Sequence, residues 1–363
     1  MSSAFLRHCA VVAVLALAPL APCFATDPLG TAGPIRSAGG DSCNGDFEAA
    51  ARGTCDPPPV VSTLSPERRS QARVERARQL VSLLRMEQAV LELDAAVTED
   101  TANGAARLLR GRLNIPAKVD EAKRDIDATL RADPGNADAL ATRAFILMGW
   151  DDQGGLQDAT QARVLDPGNA DARWIRSLLL MRMGRLEEAE VDLNFAAAIE
   201  PGNPRTLMSR AEIRMLMGKA AEARDDATAV LAIRPDLGAL QLRAVVQAQS
   251  GDYAAALDDL NVILGPPGGR PGSGPPGRDF VDLYVQRALA LTRVGRPADA
   301  RHDLETIVTF GGARALLQLQ VYLRGHGFPD VALDGKRSDQ LDDALQACFI
   351  NDACGRGVTF RRG

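Results

Sequence analysis

Beyond residue 25 the sequence holds only two histidines, His302 and His326. A hydrolytic site would use one of them as a general base beside a nucleophile, with an acid to orient the ring. His326 has Asp330 and Asp334 within a few residues, which supplies the acid. No serine or cysteine stands in an activating motif, and His302 falls in Arg301-His302-Asp303 on the solvated face of an expected helix. The sequence therefore points away from an enzyme and assigns no catalytic residue. An envelope hydrolase dependent on His326 is the least favoured reading.

Four cysteines follow residue 25, namely Cys43, Cys55, Cys348 and Cys354, and they form one local pair near each end. Structural zinc sites use Cys-x-x-Cys spacing or neighbouring histidines, and neither pair has them. The pattern favours two short-loop disulfides in an oxidising compartment over unpaired thiols or a metal. Residues 265–277 are rich in glycine and proline but lack the Gly-Lys-Ser/Thr of a phosphate loop, and they read as a lengthened connection. Calcium loops of alternating acids are also missing. Glu187-Glu188 and Asp258-Asp259 lie near arginines on expected helices and read as solvated charges. No metal or cofactor is expected.

The elements that must carry these residues are helical. Aromatic residues make up only 4% of the 363 residues, too few for a ring-filled sandwich or barrel core. The formal net charge is −5 with both signs interspersed, so no basic stripe marks a nucleic-acid partner. Residues 1–25 read as a secretory signal: Arg7 and His8 precede an apolar run over 9–20, and Cys23-Phe24-Ala25 offers a cleavage site. The run falls short of the roughly 20 residues of a spanning helix, and Pro22 argues against lipid attachment at Cys23. Export to the periplasm, or secretion, is expected, with no stable membrane span after cleavage. Residues 26–65 read as a flexible glycine- and proline-rich leader.

Three markers recur in phase from there on. An arginine followed by a small residue appears at Arg76-Ala77, Arg110-Gly111, Arg143-Ala144, Arg176-Ser177, Arg210-Ala211, Arg243-Ala244 and Arg287-Ala288, with spacings of 34, 33, 33, 34, 33 and 44. Asp133-Pro134-Gly135-Asn136, Asp166-Pro167-Gly168-Asn169, Glu200-Pro201-Gly202-Asn203 and Arg234-Pro235-Asp236 punctuate the units. Gly184/Ala189, Gly218/Ala223, Gly251/Ala256 and Gly295/Ala300 form the third marker. A small residue lets paired helices approach, glycine closes the first helix in a left-handed turn, and proline stops the second. Each unit is then a helical hairpin that buries its apolar face only by stacking on neighbours.

This pattern resembles the tetratricopeptide repeat family, over about residues 66–312, most closely in 170–203 and 204–236. The resemblance implies an all-α α-solenoid of about six to seven helix–turn–helix repeats. The usual early aromatic is missing from most units, and Gly154 and Gly155 fall within an expected second helix. Residues 313–363 break the repeat. Leu319-Gln320, Leu323, Gly327-Phe328 and Asp334-Gly335 resemble the small peptidoglycan-binding-like helical domain, although Lys336-Arg337-Ser338 replaces its usual Phe-Gly. A plain cap on the open end of the stack is the alternative.

Apolar residues of the first helices offer the remaining site. Phe145, Met148, Trp174, Leu178, Met181, Met208 and Met215 fall where such helices line a concave surface, and methionines and aromatics suit a protein or peptide partner. The competing reading places them in the seam between hairpins. The sequence thus favours an exported interaction scaffold, with a peptidoglycan-associated protein whose repeats act as a spacer as the alternative.

Overall fold

A computed structural model describes residues 62–115, 117–267 and 280–350. The signal, nearly all of the leader, most of the 265–277 insertion, Cys43, Cys55 and Cys354 lie outside the described residues. Within them every regular element is helical. The chain forms two compact units, Met1–Ile199 and Glu200–Gly363.

The amino-terminal unit contains α1 (Pro66–Ser82), α2 (Met86–Glu99), α3 (Gly104–Asn114), α4 (Val119–Ala132), α5 (Ala137–Leu147), α6 (Asp152–Leu165), α7 (Ala170–Arg182) and α8 (Leu186–Ile199). Odd and even helices pair as four successive hairpins, and each second helix packs on the first helix of the next hairpin. The first helices also touch in a row, α1 with α3, α3 with α5 and α5 with α7, and so form one face of the unit. The carboxy-terminal unit holds three more hairpins: α9 (Pro204–Leu216) with α10 (Ala220–Ile233), α11 (Leu237–Gln249) with α12 (Tyr253–Leu264), and α13 (Phe280–Arg293) with α14 (Pro297–Phe310). Then come α15 (Gly312–Gly325), the short α16 (Asp339–Leu345) and a π-helical turn, Gln346–Ile350. The last described helical stretch is therefore α16 continued by this wider turn through Cys348. Each unit is a solenoid of tetratricopeptide-like hairpins.

The markers have distinct physical jobs. Asn103, Asn136 and Asn169 each cap a first helix, accepting from the backbone N–H of Ala106, Ala139 and Ala172 at 3.0, 2.9 and 2.8 Å. Asn203 and Asp236 cap the next two helices in the same way. Such a cap contributes ~1 kcal/mol, so the asparagine starts a unit while the proline before it ends the last. Gly184, Gly218, Gly251 and Gly295 exit their first helices at φ between 75° and 84°. In the first hairpin Leu84 occupies the corresponding turn at φ 59°, where a Cβ is disfavoured.

Small residues sit where the paired helices meet. Ala77, Ala144, Ser177, Ala211 and Ala288 are fully buried, as are Ala89, Ala189, Ala223, Ala256 and Ala300 on the partner helices. Gly155 belongs to this set. A Cβ there would lie 3.0 Å from the Ala144 carbonyl oxygen and 3.3 Å from Leu179. Its absence lets α6 lie against α5, which offsets the helix-propensity cost of glycine.

The terminal segment shares one core with the last hairpin. Leu316, Leu319, Leu323, Leu341, Leu345 and Phe349 join Ala288, Leu291, Leu304 and Ile307 in a single buried cluster. The Thr292 hydroxyl donates to the Phe349 carbonyl oxygen at 2.7 Å. This segment covers α13 and α14.

Candidate functional site

The first-helix face in the amino-terminal unit is aligned by polar contacts along its row. Arg112 of α3 reaches Thr142 Oγ1 at 3.0 Å and Asp138 at 3.1 Å, both on α5. Asn169, at the start of α7, donates to the same Asp138 carboxylate at 3.0 Å. At the opposite end of α5 and α7, Arg182 lies 3.1 Å from Asp152.

Between these contacts lie five of the proposed partner-binding residues, Phe145 on α5, Met148 at its C-cap, and Trp174, Leu178 and Met181 on α7. The Phe145 and Trp174 rings stack at 6.0 Å between centroids, 26° apart. Trp174 and Met181 are only 9% and 8% exposed, whereas Phe145, Met148 and Leu178 are half-buried and reach solvent. Trp174 and Met181 thus form the floor, and the other three are the accessible part. In the carboxy-terminal unit Met208 and Met215 are also half-buried and pack on Ala211, Ala223, Ala227, Leu242 and Val246.

The repeated arginine has a role that sequence reasoning missed. In six hairpins it reaches from the first helix to an aspartate on the second: Arg110–Asp125, Arg143–Asp158, Arg176–Asp192, Arg210–Asp226, Arg243–Asp259 and Arg287–Asp303, all at 2.6–2.7 Å. In the first hairpin Arg76 faces Glu92 at 3.4 Å. Most of these contacts are two-pronged guanidinium–carboxylate pairs, the strong form of the interaction. Hydrogen bonding to the aspartate holds Arg110, Arg143 and Arg243 above the ordinary arginine value. Asp259 corrects the sequence reading of Asp258-Asp259 as solvated. It is 4% exposed and clasped by Arg243, while Asp258, one residue and about 100° round the helix, is exposed. The recurrence of an acid 15 or 16 residues after each marker arginine, Glu92 in the first unit and aspartate in the other six, was the available signal.

Of the candidate chemical groups, His326 and Asp334 have structural partners. His302 is exposed. The His326 ring stacks on Tyr322 at 4.0 Å, and its Nδ1 lies 2.7 Å from the Tyr322 carbonyl oxygen. Burial pushes the Tyr322 hydroxyl up to about 12, and its oxygen is buried without a hydrogen-bond partner. Asp330 is exposed, and the Asp334 carboxylate accepts from Gln320 and from the Lys336 N–H, each at 2.9 Å. Gln320, 1% exposed, also accepts from the Asp334 and Gly335 N–H groups at 3.1 and 2.9 Å. The Leu-Gln and Asp-Gly pieces of the C-terminal motif therefore hold one another as a turn clasp. Cys348 is fully buried. Among the described residues no group of three metal-ligating side chains occurs, and no helix is long and apolar enough to cross a membrane.

Fold and face together define a helical-repeat solenoid carrying an apolar first-helix surface. No protein-family model and no curated protein matches the chain. Among solved structures it is similar to PilW, described as a widely conserved type IV pilus biogenesis factor, with 20% identity over 53% of this chain and 91% of that one and a TM-score of 0.48. It is also similar to pilF of Pseudomonas aeruginosa (15%, covering 55% and 92%, TM-score 0.47). A tetratricopeptide repeat protein from Parabacteroides merdae matches at 18%, covering 76% and 97%, with a TM-score of 0.44. These TM-scores lie below 0.5, and the fold assignment rests on the packed hairpins themselves.

Proposed function

We propose that this protein is an exported, non-catalytic scaffold that holds a protein or peptide on the concave first-helix face of its repeats. One observation carries the reading: Phe145, Met148 and Leu178 reach solvent over a floor made by Trp174 and Met181. Half-buried aromatic and methionine side chains on a rigid floor make an adaptable anchor surface. Export is inferred from residues 1–25, and the periplasm is the compartment that fits best. The C-terminal segment acts in this reading as the cap of the last hairpin, in keeping with the core they share.

The test substitutes the accessible residues and spares the floor. Phe145→Ser with Leu178→Ser should abolish capture of the partner retained by the unaltered protein from an envelope fraction, with helicity at 222 nm unchanged. Undiminished capture would remove the face from consideration. Retention on insoluble peptidoglycan that disappears with residues 313–363 would favour the cell-wall alternative.

A further inference from the structure

The two first helices that begin the row carry a surplus of arginine. α1 holds Arg68, Arg69, Arg73, Arg76 and Arg78 against Glu67 and Glu75, and α3 holds Arg107, Arg110 and Arg112 with no acid. Most of that charge is answered from other helices. Glu92 and Glu99 of α2 bind Arg69, Arg73 and Arg76, while Asp94, Asp125 and Asp138 bind the three arginines of α3. Glu67 is taken up by its own backbone N–H and the Ser65 hydroxyl. Arg78 lies 3.7 Å from Glu75 on the same helix, and both side chains are more than half exposed. The exposed Arg68 guanidinium meets no carboxylate among the described residues.

Arg68 and Arg78 stand ten residues, about 15 Å, apart along α1, and both line one cleft of about 570 Å³. Leu64, Ala72, Val74 and Ala105 give it an apolar wall, completed by Gln71, Glu75 and Asn103. All of these residues belong to α1, α3 or the turns that lead into them, so the cleft opens on the first-helix side. An apolar cleft with a cation toward each end suits an acidic segment that carries one large apolar side chain.

The chain itself supplies such a segment. The described residues begin at Ser62, and Leu64 already lines the cleft, so the leader over 26–61 arrives at its mouth. That leader carries Asp27, Asp41, Asp46, Glu48 and Asp56 against Arg36 and Arg52, a net charge of −3. Its one aromatic residue, Phe47, stands between Asp46 and Glu48. A flexible tether of the 17 residues from Phe47 to Leu64 has a reach of about 21–25 Å. The whole of α1 is about 26 Å long, so the tether matches the cleft, and effective concentrations at such lengths are about millimolar.

We propose that residues 46–48 of the leader dock in the α1/α3 cleft of their own chain, with Phe47 filling it and the flanking acids answering Arg68 and Arg78. The cleft uses none of the residues assigned to the partner face, so the two readings can fail separately.

In the full-chain protein a photoreactive benzophenone amino acid replaces Phe47, and mass spectrometry maps the residues it joins on irradiation. Links within one chain to Ala72, Val74 or Ala105 are expected. Arg68→Glu with Arg78→Glu should lower their yield roughly tenfold, since two exposed ion pairs become repulsive. Adding Asp46→Arg and Glu48→Arg to that background should restore it. Arg124→Glu, at an exposed arginine of α4, should leave the yield unchanged. Far-ultraviolet dichroism confirms folding, and Arg68→Gln with Arg78→Gln serves if the reversed pair is unfolded. Links scattered over the surface, or joining two chains, would overturn the proposal. So would an unchanged yield in the α1 variant, a loss that the leader reversal does not restore, or an equal loss in Arg124→Glu.

Discussion

The Arg287–Asp303 pair allows the sharpest test of what holds a hairpin together. Its side chains are 1% and 0% exposed and joined by two bonds of 2.7 and 2.6 Å. Arg287 also donates to Asn261 at 3.2 Å and to the Gly265 carbonyl oxygen, tying α13 to the end of α12. Arg287→Met strands a buried carboxylate, which costs about 3–5 kcal/mol, whereas replacing both charges by apolar groups is often neutral or stabilising by about 1–4 kcal/mol. Arg287→Met with Asp303→Leu should therefore recover most of the loss in urea unfolding followed at 222 nm. Arg337, paired with Glu305 and about half exposed, is the contrast: Arg337→Met should cost about 0–1 kcal/mol. The pH dependence follows from Asp303, whose carboxyl is raised chiefly by burial, against the pull of Arg287. Losing Arg287 raises it further. A carboxyl whose folded value exceeds its unfolded one favours the folded state at low pH, and that contribution is lost as pH rises through the folded value. The Arg287→Met deficit should thus be largest near neutrality and shrink as pH falls toward the ordinary carboxylate range. A deficit below about 1 kcal/mol, one that ignores pH, or simple additivity of the two substitutions would refute the reasoning.

Leu84→Gly should stabilise the first hairpin by about 1 kcal/mol, since Leu84 bears a Cβ at φ 59°, and Gly184→Ala should cost about 1–2 kcal/mol for the converse reason; urea midpoints check both. Gln320→Leu removes four hydrogen bonds from the 334–336 turn and should cost about 1–3 kcal/mol by leaving buried groups unanswered. The Lys336 N–H and then Gln320 hold the Asp334 carboxyl below its ordinary value. Its stabilising contribution is therefore present above the unfolded value and lost as pH falls through the folded one. Carboxyl NMR titration should find Asp334 moved upward in Gln320→Leu.

Some of the candidate face was legible in sequence and some was not. Phe145, Met148, Trp174, Leu178 and Met181 could be assigned to first helices from the phase of the repeat. Their split into floor and accessible rim could not, because neighbouring positions on one helix differ in exposure only once the next hairpin packs on it. Trp174 and Leu178 lie four residues apart on α7, and only the first is buried. The clasps were hidden for a related reason. An arginine and an aspartate 15 or 16 residues apart lie on different helices, and their meeting depends on how those helices cross.

The C-terminal motif shows the same division. Leu319-Gln320 and Asp334-Gly335 were visible as a pattern, but their role as two halves of one turn clasp needed the segment folded against α13 and α14. By itself the sequence determined the hairpins: residue period, turn glycines, capping asparagines and helix-stopping prolines are local signals, each acting within a turn or two of chain. Only the tertiary structure decided which charges are buried and which apolar residues stay accessible, because desolvation is set by the neighbours that surround a side chain.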